Sequence, residues 1–169
     1  KIKDILIIVN KGQLEQYKKI LPNGDNLGIK IRYLEQNEPR GLPDAFVIGE
    51  KFIGKDNVAM ILGDNFFYGQ NLSRLLLANT KLNKGARVIL HKVLKPELFG
   101  VAKINNQNKI VKIKEKPKKF FSDAGKPPRP ISVFVIGKSS CLTNLVNVLD
   151  AFPRTTPPPE YTIGFFALI

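Results

Sequence analysis

Val58-Ala59-Met60-Ile61-Leu62 runs straight into Gly63-Asp64-Asn65. An uncharged run this short, ended by a turn sequence, predicts a buried strand rather than a helix. The carboxylate of Asp64 then falls at that strand's C-terminal edge, where open α/β sheets bind their ligands. A hard oxygen donor there suits Mg²⁺ and, through it, a phosphate chain. An aspartate beside an asparagine also caps turns through its own backbone, so the neighbouring segments decide between the two roles.

Upstream, Asp4-Ile5-Leu6-Ile7-Ile8-Val9 reads as a second buried strand. Asn10-Lys11-Gly12 makes a turn, and Leu14, Tyr17, Ile20 and Leu21 fall on one helical face, stopped by Pro22-Asn23-Gly24. Ile29, Ile31 and Tyr33 alternate with Lys30 and Arg32, the pattern of a strand with one wet face. Ala45, Phe46, Ile48 and Phe52 then predict an amphipathic helix leading into the acid-ended strand. Downstream come a helix carrying Leu72, Leu75 and Leu76, a strand over Ala86–Val93, and a hairpin of Val101–Ile104 and Ile110–Ile113 about the turn 105–108. Strands alternating with helices predict an α/β domain with a mixed, mostly parallel sheet.

Past Lys119 the character changes. Gly125–Pro130 reads as a loop, Ile131–Ile136 as one more strand and Cys141–Leu149 as a short helix. Pro157-Pro158-Pro159 breaks regular structure, and the apolar end Phe165–Ile169 has no partner visible in the sequence.

The 169 residues make one domain's worth of chain, with 43% hydrophobic and 24% charged residues. No apolar stretch approaches the roughly 20 residues that cross a bilayer. The single Cys141 excludes an internal disulfide and a cysteine-built zinc site, which fits a reducing cytoplasm. The chain opens on Lys1-Ile2-Lys3 and enters a strand at once, as the interior of a domain would, so a fragment is expected. The net charge of +13 gathers partly at Lys109, Lys112, Lys114, Lys116, Lys118 and Lys119. Such a run meets phosphorylated substrates or nucleic acid, or it is a solvated face. No zinc-finger spacing, aromatic stacking motif or basic helix supports nucleic acid.

Three further places could carry chemistry. Gln36 ends a strand before Asn37-Glu38-Pro39-Arg40-Gly41-Leu42. Its amide can pair both groups with a base edge, and Gly41, lacking a Cβ, lets backbone approach a flat ligand at a helix N-terminus. The same residues also make an ordinary strand-turn-helix connection. Phe99-Gly100 precedes the hairpin and Glu115-Lys116-Pro117 follows it. Pro117 must end the strand, so Glu115 could accept hydrogen bonds from sugar hydroxyls while Lys116 neutralises a phosphate. A solvent-exposed ion pair is the plainer alternative. His91 sits in an apolar strand and reads as structural, and no Ser-His-Asp set is recognisable.

In order and spacing these segments resemble the sugar-1-phosphate nucleotidylyltransferases over Lys1–Asp123. The resemblance rests on Asp4–Ile8, Gln36–Phe46, Ile48-Gly49-Glu50, Phe52-Ile53-Gly54, Leu62–Gly69, Phe99-Gly100-Val101 and Glu115-Lys116-Pro117. Leu62-Gly63-Asp64-Asn65-Phe66-Phe67-Tyr68-Gly69 is similar to the branch that transfers thymidylyl groups to glucose 1-phosphate.

The resemblance implies a Rossmann-like nucleotidyltransferase domain over 1–123, incomplete at its N-terminus, and a divergent segment over 124–169 expected to be poorly ordered. It implies dTTP and glucose 1-phosphate as substrates, dTDP-glucose and pyrophosphate as products, Mg²⁺ as cofactor, and a cytoplasmic homotetramer for the full-length protein. By position Gln36 would contact the thymine, with Gly41 and Leu42 shaping the base pocket. Asp64 would bind Mg²⁺, Gly100 and Glu115 would contact the sugar, and Lys116 its phosphate; Asp64 and Lys116 would be the catalytic pair. Phe99 stands where the family usually has Tyr. The family's Gly-rich triphosphate loop and a second metal-binding aspartate after Asp123 have no counterpart here, so this chain is expected to be inactive as it stands. A uridylyl- or adenylyl-transferring relative is the nearest alternative, and a non-catalytic basic module binding nucleic acid is the alternative from another class.

Overall fold

The computed structural model describes residues 2–38, 40, 42–63, 65, 68, 71–80, 85–90, 95, 97 and 100–115, and the backbone of 129–138 and 164–168. Two apolar runs form its central strands, β1 (Asp4–Asn10) and β3 (Asn57–Leu62). In β1, Leu6, Ile7, Ile8 and Val9 are buried on both faces of the sheet, which is why the run shows no polar alternation. Helix α1 (Leu14–Ile20) and a single 3-10 turn (Asp25–Leu27) connect β1 to β2 (Lys30–Gln36). β2 lies parallel to β1, in register from Asp4 opposite Lys30 to Asn10 opposite Gln36. Ile31 is buried and Arg32 exposed in β2, as the alternation predicts.

The stretch expected to be one amphipathic helix is two: α2 (Leu42–Ile48) and α3 (Glu50–Ile53), broken at Gly49. A Cβ at Gly49 would stand 3.0 Å from the Ala45 carbonyl and 3.3 Å from Leu6 Cδ2. The glycine therefore lets the helical segment press onto β1. Helix α4 is Leu72–Thr80, β4 is Ala86–Leu90, and the hairpin strands are β5 (Gly100–Ile104) and β6 (Ile110–Glu115). Strand β7 (Arg129–Lys138) extends the expected strand at both ends, and β8 is Gly164–Leu168. His91 and the helix expected over Cys141–Leu149 lie outside the described residues.

The described strands form one 8-stranded sheet in the order β2-β1-β8-β3-β7-β5-β6, with β4 also on β7. β1 to β5 run in one direction, and β6, β7 and β8 oppose them and lie between or beside them. Among the described strands β1–β2 is therefore the one parallel pair, and the sheet is mixed but not mostly parallel as expected. The apolar end of the chain thus has partners after all: β8 lies antiparallel between β1 and β3. Those partners are more than 100 residues away in sequence, so no local signal announces them.

Helices cover both faces. Ala45 and Phe46 of α2 and Ile53 of α3 pack with Leu6, Ile8, Val58 and Met60. On the other face Leu14, Tyr17 and Leu21 pack against Ile7, Val9 and Ile31, and Leu76 of α4 against Ala59. Each fully buried aliphatic side chain contributes about 1.5–3 kcal/mol by leaving water. Ile20 is 81% exposed, not packed as expected. Leu14, Tyr17 and Leu21 follow the i, i+3, i+7 rule, and Ile20 falls away from that stripe. Burial pushes the Tyr33 phenol above its ordinary pKa, so it stays a donor, and it hydrogen bonds the Leu21 carbonyl to fix the end of α1 to β2.

The hairpin turn is built by Asn105, whose side-chain oxygen accepts from the N–H groups of Gln107 at 3.0 Å and Lys109 at 2.9 Å. Asn108 takes the left-handed φ of 57° that asparagine tolerates. Lys112 and Lys114 are exposed on β6, the last strand in the sheet order. Charge on an edge strand discourages pairing with another sheet, a role for part of the basic run that needs no ligand.

Candidate active site

Strands β1, β2 and β3 end together, and the first candidate residue is where they do. Gln36 closes β2 and is 5% exposed. Its Nε2 donates to the side-chain oxygen of Asn10, at the end of β1, at 2.7 Å. The two are direct register partners, so both amides fall on the same face of the sheet. The bond turns the Gln36 amide, nitrogen toward Asn10. Lys11 N–H bonds the Gln36 carbonyl at 3.1 Å, and Gly12 N–H bonds the Glu35 carboxylate at 2.9 Å. Gly12 has φ +84°, which glycine adopts without steric cost, so this turn closes tightly over the end of β2.

Asn10 is a candidate that reading the sequence overlooked. Its signal was available: two strands of equal length, each ending in an amide side chain, place those amides together if they pair in parallel. Following Gln36, Arg40 approaches Asp44 in the first turn of α2 at 3.5 Å. The other Asp44 oxygen, Oδ2, is buried without a hydrogen-bond partner. A carboxylate there is favoured by the positive end of the helix. Gly41 lies outside the described residues. Leu42 is the first residue of α2.

At the end of β3 the chain turns between Leu62 and Asn65, whose N–H donates to the Leu62 carbonyl at 3.1 Å. Asp64 itself lies outside the described residues, as do Phe66, Phe67 and Gly69. Tyr68 is 93% exposed. β7 runs on past this end of β3: Ile61 is opposite Phe134, and the residues of β7 that precede Phe134 continue beyond the edge. Arg129 and Pro130, in that overhang, pair with Ala102 and Val101. The hairpin is therefore mounted beyond the C-terminal edge of β3. At its base Gly100 is opposite Glu115. Two expected sugar contacts thus meet across one ladder, on the side of the sheet where β3 ends. Lys116 and Phe99 lie outside the described residues.

Among the described residues no cluster of three or more His, Cys, Asp or Glu side chains is placed to hold a metal, and no helix is long and apolar enough to cross a membrane. Mg²⁺ is commonly bound by one or two carboxylates, with substrate phosphates and water completing its shell, so a single carboxylate has the chemistry to contribute to such a site.

The profile of the nucleotidyl transferase family matches residues 1–136. The chain is 43% identical over 122 residues to a glucose-1-phosphate thymidylyltransferase of Neisseria meningitidis, covering 72% of this chain and 42% of that protein. It is 38% identical over 117 residues to one of Mycolicibacterium smegmatis, covering 69% and 40%. Among solved structures it is similar to a Bacillus anthracis chain assigned the same activity and crystallised with sucrose, with TM-score 0.69 and 31% identity over 83% of this chain and 54% of that one. This chain therefore spans about two fifths of the length of the curated relatives it matches. With fold and sequence in agreement, the chain belongs to the nucleotidyl transferase family and is a homologue of the glucose-1-phosphate thymidylyltransferases.

Proposed function

We propose that this chain carries the base- and sugar-binding part of a glucose-1-phosphate thymidylyltransferase, which forms dTDP-glucose and pyrophosphate from dTTP and glucose 1-phosphate. The observation that carries the reading is the buried Gln36 amide, oriented by Asn10 at the C-terminal edge, in a chain so similar to enzymes of that name.

In this reading Gln36 presents an acceptor and a donor to the N3–H and carbonyl edge of thymine, between Gly41 and Leu42. Gly100 offers backbone to the sugar, Glu115 accepts from its hydroxyls and Lys116 offsets the charge of its phosphate. Asp64 would hold Mg²⁺, which when bound supplies positive charge against the nucleotide's phosphate chain. An oxygen of the sugar phosphate attacks the α-phosphorus as the bond to pyrophosphate breaks on the opposite side. That displacement needs no nucleophile from the protein. The protein's work is to hold two mutually repelling anions in line, through placement and fixed charge.

The base assignment predicts that dTTP and UTP, which share the keto edge, bind at least tenfold more tightly than ATP, with thymine ahead of uracil by the small margin a methyl group gives. A tenfold ratio corresponds to about 1.4 kcal/mol. Gln36→Leu should erase the preference over ATP. Titration calorimetry of both proteins with the three nucleotides measures this. Equal affinities in the unaltered chain, or a preference that survives Gln36→Leu, would contradict the assignment.

A further inference from the structure

The place of β8 in the sheet has a consequence for assembly. β1 pairs with β2 on one side and β8 on the other; β3 pairs with β7 and β8. Among the described residues no other backbone ladder joins the β2-β1 pair to the β3-β7 group. Among the described residues this strand of five is thus the one hydrogen-bonded bridge between the two parts of the sheet. It comes from beyond residue 136, where the family match ends, whereas both strands that receive it lie inside that match.

We propose that Gly164–Leu168 is an exchangeable strand, and that the slot between β1 and β3 is a docking site for the same strand from a second copy of this chain. β8 is held by register pairing along both edges, Ile5 to Ala167 through Ile8 to Gly164 on one and Val58 to Leu168 through Leu62 to Gly164 on the other. That pairing is identical whichever copy donates the strand.

The slot cannot rest empty at low cost. Its walls, Ile5–Ile8 and Val58–Leu62, carry no charge, and two unpaired apolar strand edges are templates for association. The segment whose register fits is carried by every copy, so two copies with open slots can close one another reciprocally about a twofold axis. The covalent chain permits it: residues 139–163 could reach roughly 80 Å fully extended, far beyond the width of the sheet.

Cross-chain disulfide trapping tests this on the full chain with Cys141→Ser. One preparation carries Ile5→Cys and the other Ala167→Cys, positions directly opposite in the antiparallel ladder and within disulfide reach. The two are unfolded, mixed, refolded together and oxidised. A covalent heterodimer is expected, increasing with protein concentration and at least tenfold above a control that pairs Ala167→Cys with Lys55→Cys, an exposed site outside the ladder. Ala59→Cys with Ala167→Cys, paired on the other edge, provides a second readout should the first substitution disturb folding. Both pairs are also placed within single chains. Links that form only within one chain would overturn the exchange, and links that form in neither arrangement would overturn the slot as well.

Discussion

Asp64→Asn is expected to weaken Mg²⁺-dependent binding of dTTP by about 100-fold, roughly 2.7 kcal/mol, while leaving thermal unfolding unchanged. Asparagine keeps the size and one oxygen of the side chain but removes the charge that a hard divalent cation selects. The loss should appear only when Mg²⁺ is present; with a chelator the two proteins should bind dTTP equally weakly. This pattern separates a ligand for the cation from a residue that merely closes the turn after Leu62. A turn-capping aspartate would cost stability on substitution and show no difference between Mg²⁺ and chelator. Calorimetric titration with and without Mg²⁺, beside a melting curve, supplies both readouts.

The largest effect on stability is expected from Met60→Ala, a loss of about 2–5 kcal/mol. Met60 is fully buried in β3 and packs with Leu6, Ile8, Ala45, Phe46 and Ile53, so its side chain spans the contact between the sheet and the α2–α3 layer. Truncation removes apolar contact and leaves a hole that rigid strands on either side cannot close. Urea denaturation should show the midpoint fall with little change in slope, and the melting temperature should drop by roughly 5–15 °C for a domain of this size. A loss below about 1 kcal/mol would mean that β3 is not the packed centre of the fold.

Strands β1 and β3 were legible because burial on both faces leaves an uninterrupted apolar run, a mark that survives in the linear sequence. The hairpin turn was legible for a local reason too, since Asn105 makes its bonds within four residues. What the linear pattern missed was non-local. The break between α2 and α3 falls at Gly49, where the backbone approaches Leu6 of β1 closely, and periodicity says nothing of that approach. The place of β8 depends on registers with residues near both Ile5 and Val58, which leave no trace near Gly164. The site divides the same way. Of the candidate residues, Gln36 was singled out by its place at a strand end, and Gly100 and Glu115, the paired outer ends of β5 and β6, by their nearness to the expected hairpin. Asn10 emerged only when the parallel register set it against Gln36.

The most direct measurement is a titration of the isotopically labelled chain with dTDP-glucose and Mg²⁺, followed by amide resonances. Binding at the C-terminal edge predicts concerted shifts at Asn10–Gly12, Gln36–Asn37, Gly63 and Gly100–Ala102, with the helix α1 and the hairpin turn at Asn105–Asn108 unmoved. Shifts confined to the exposed lysines of β6, or none at concentrations that saturate the full-length relatives, would contradict a nucleotide-sugar site on this edge.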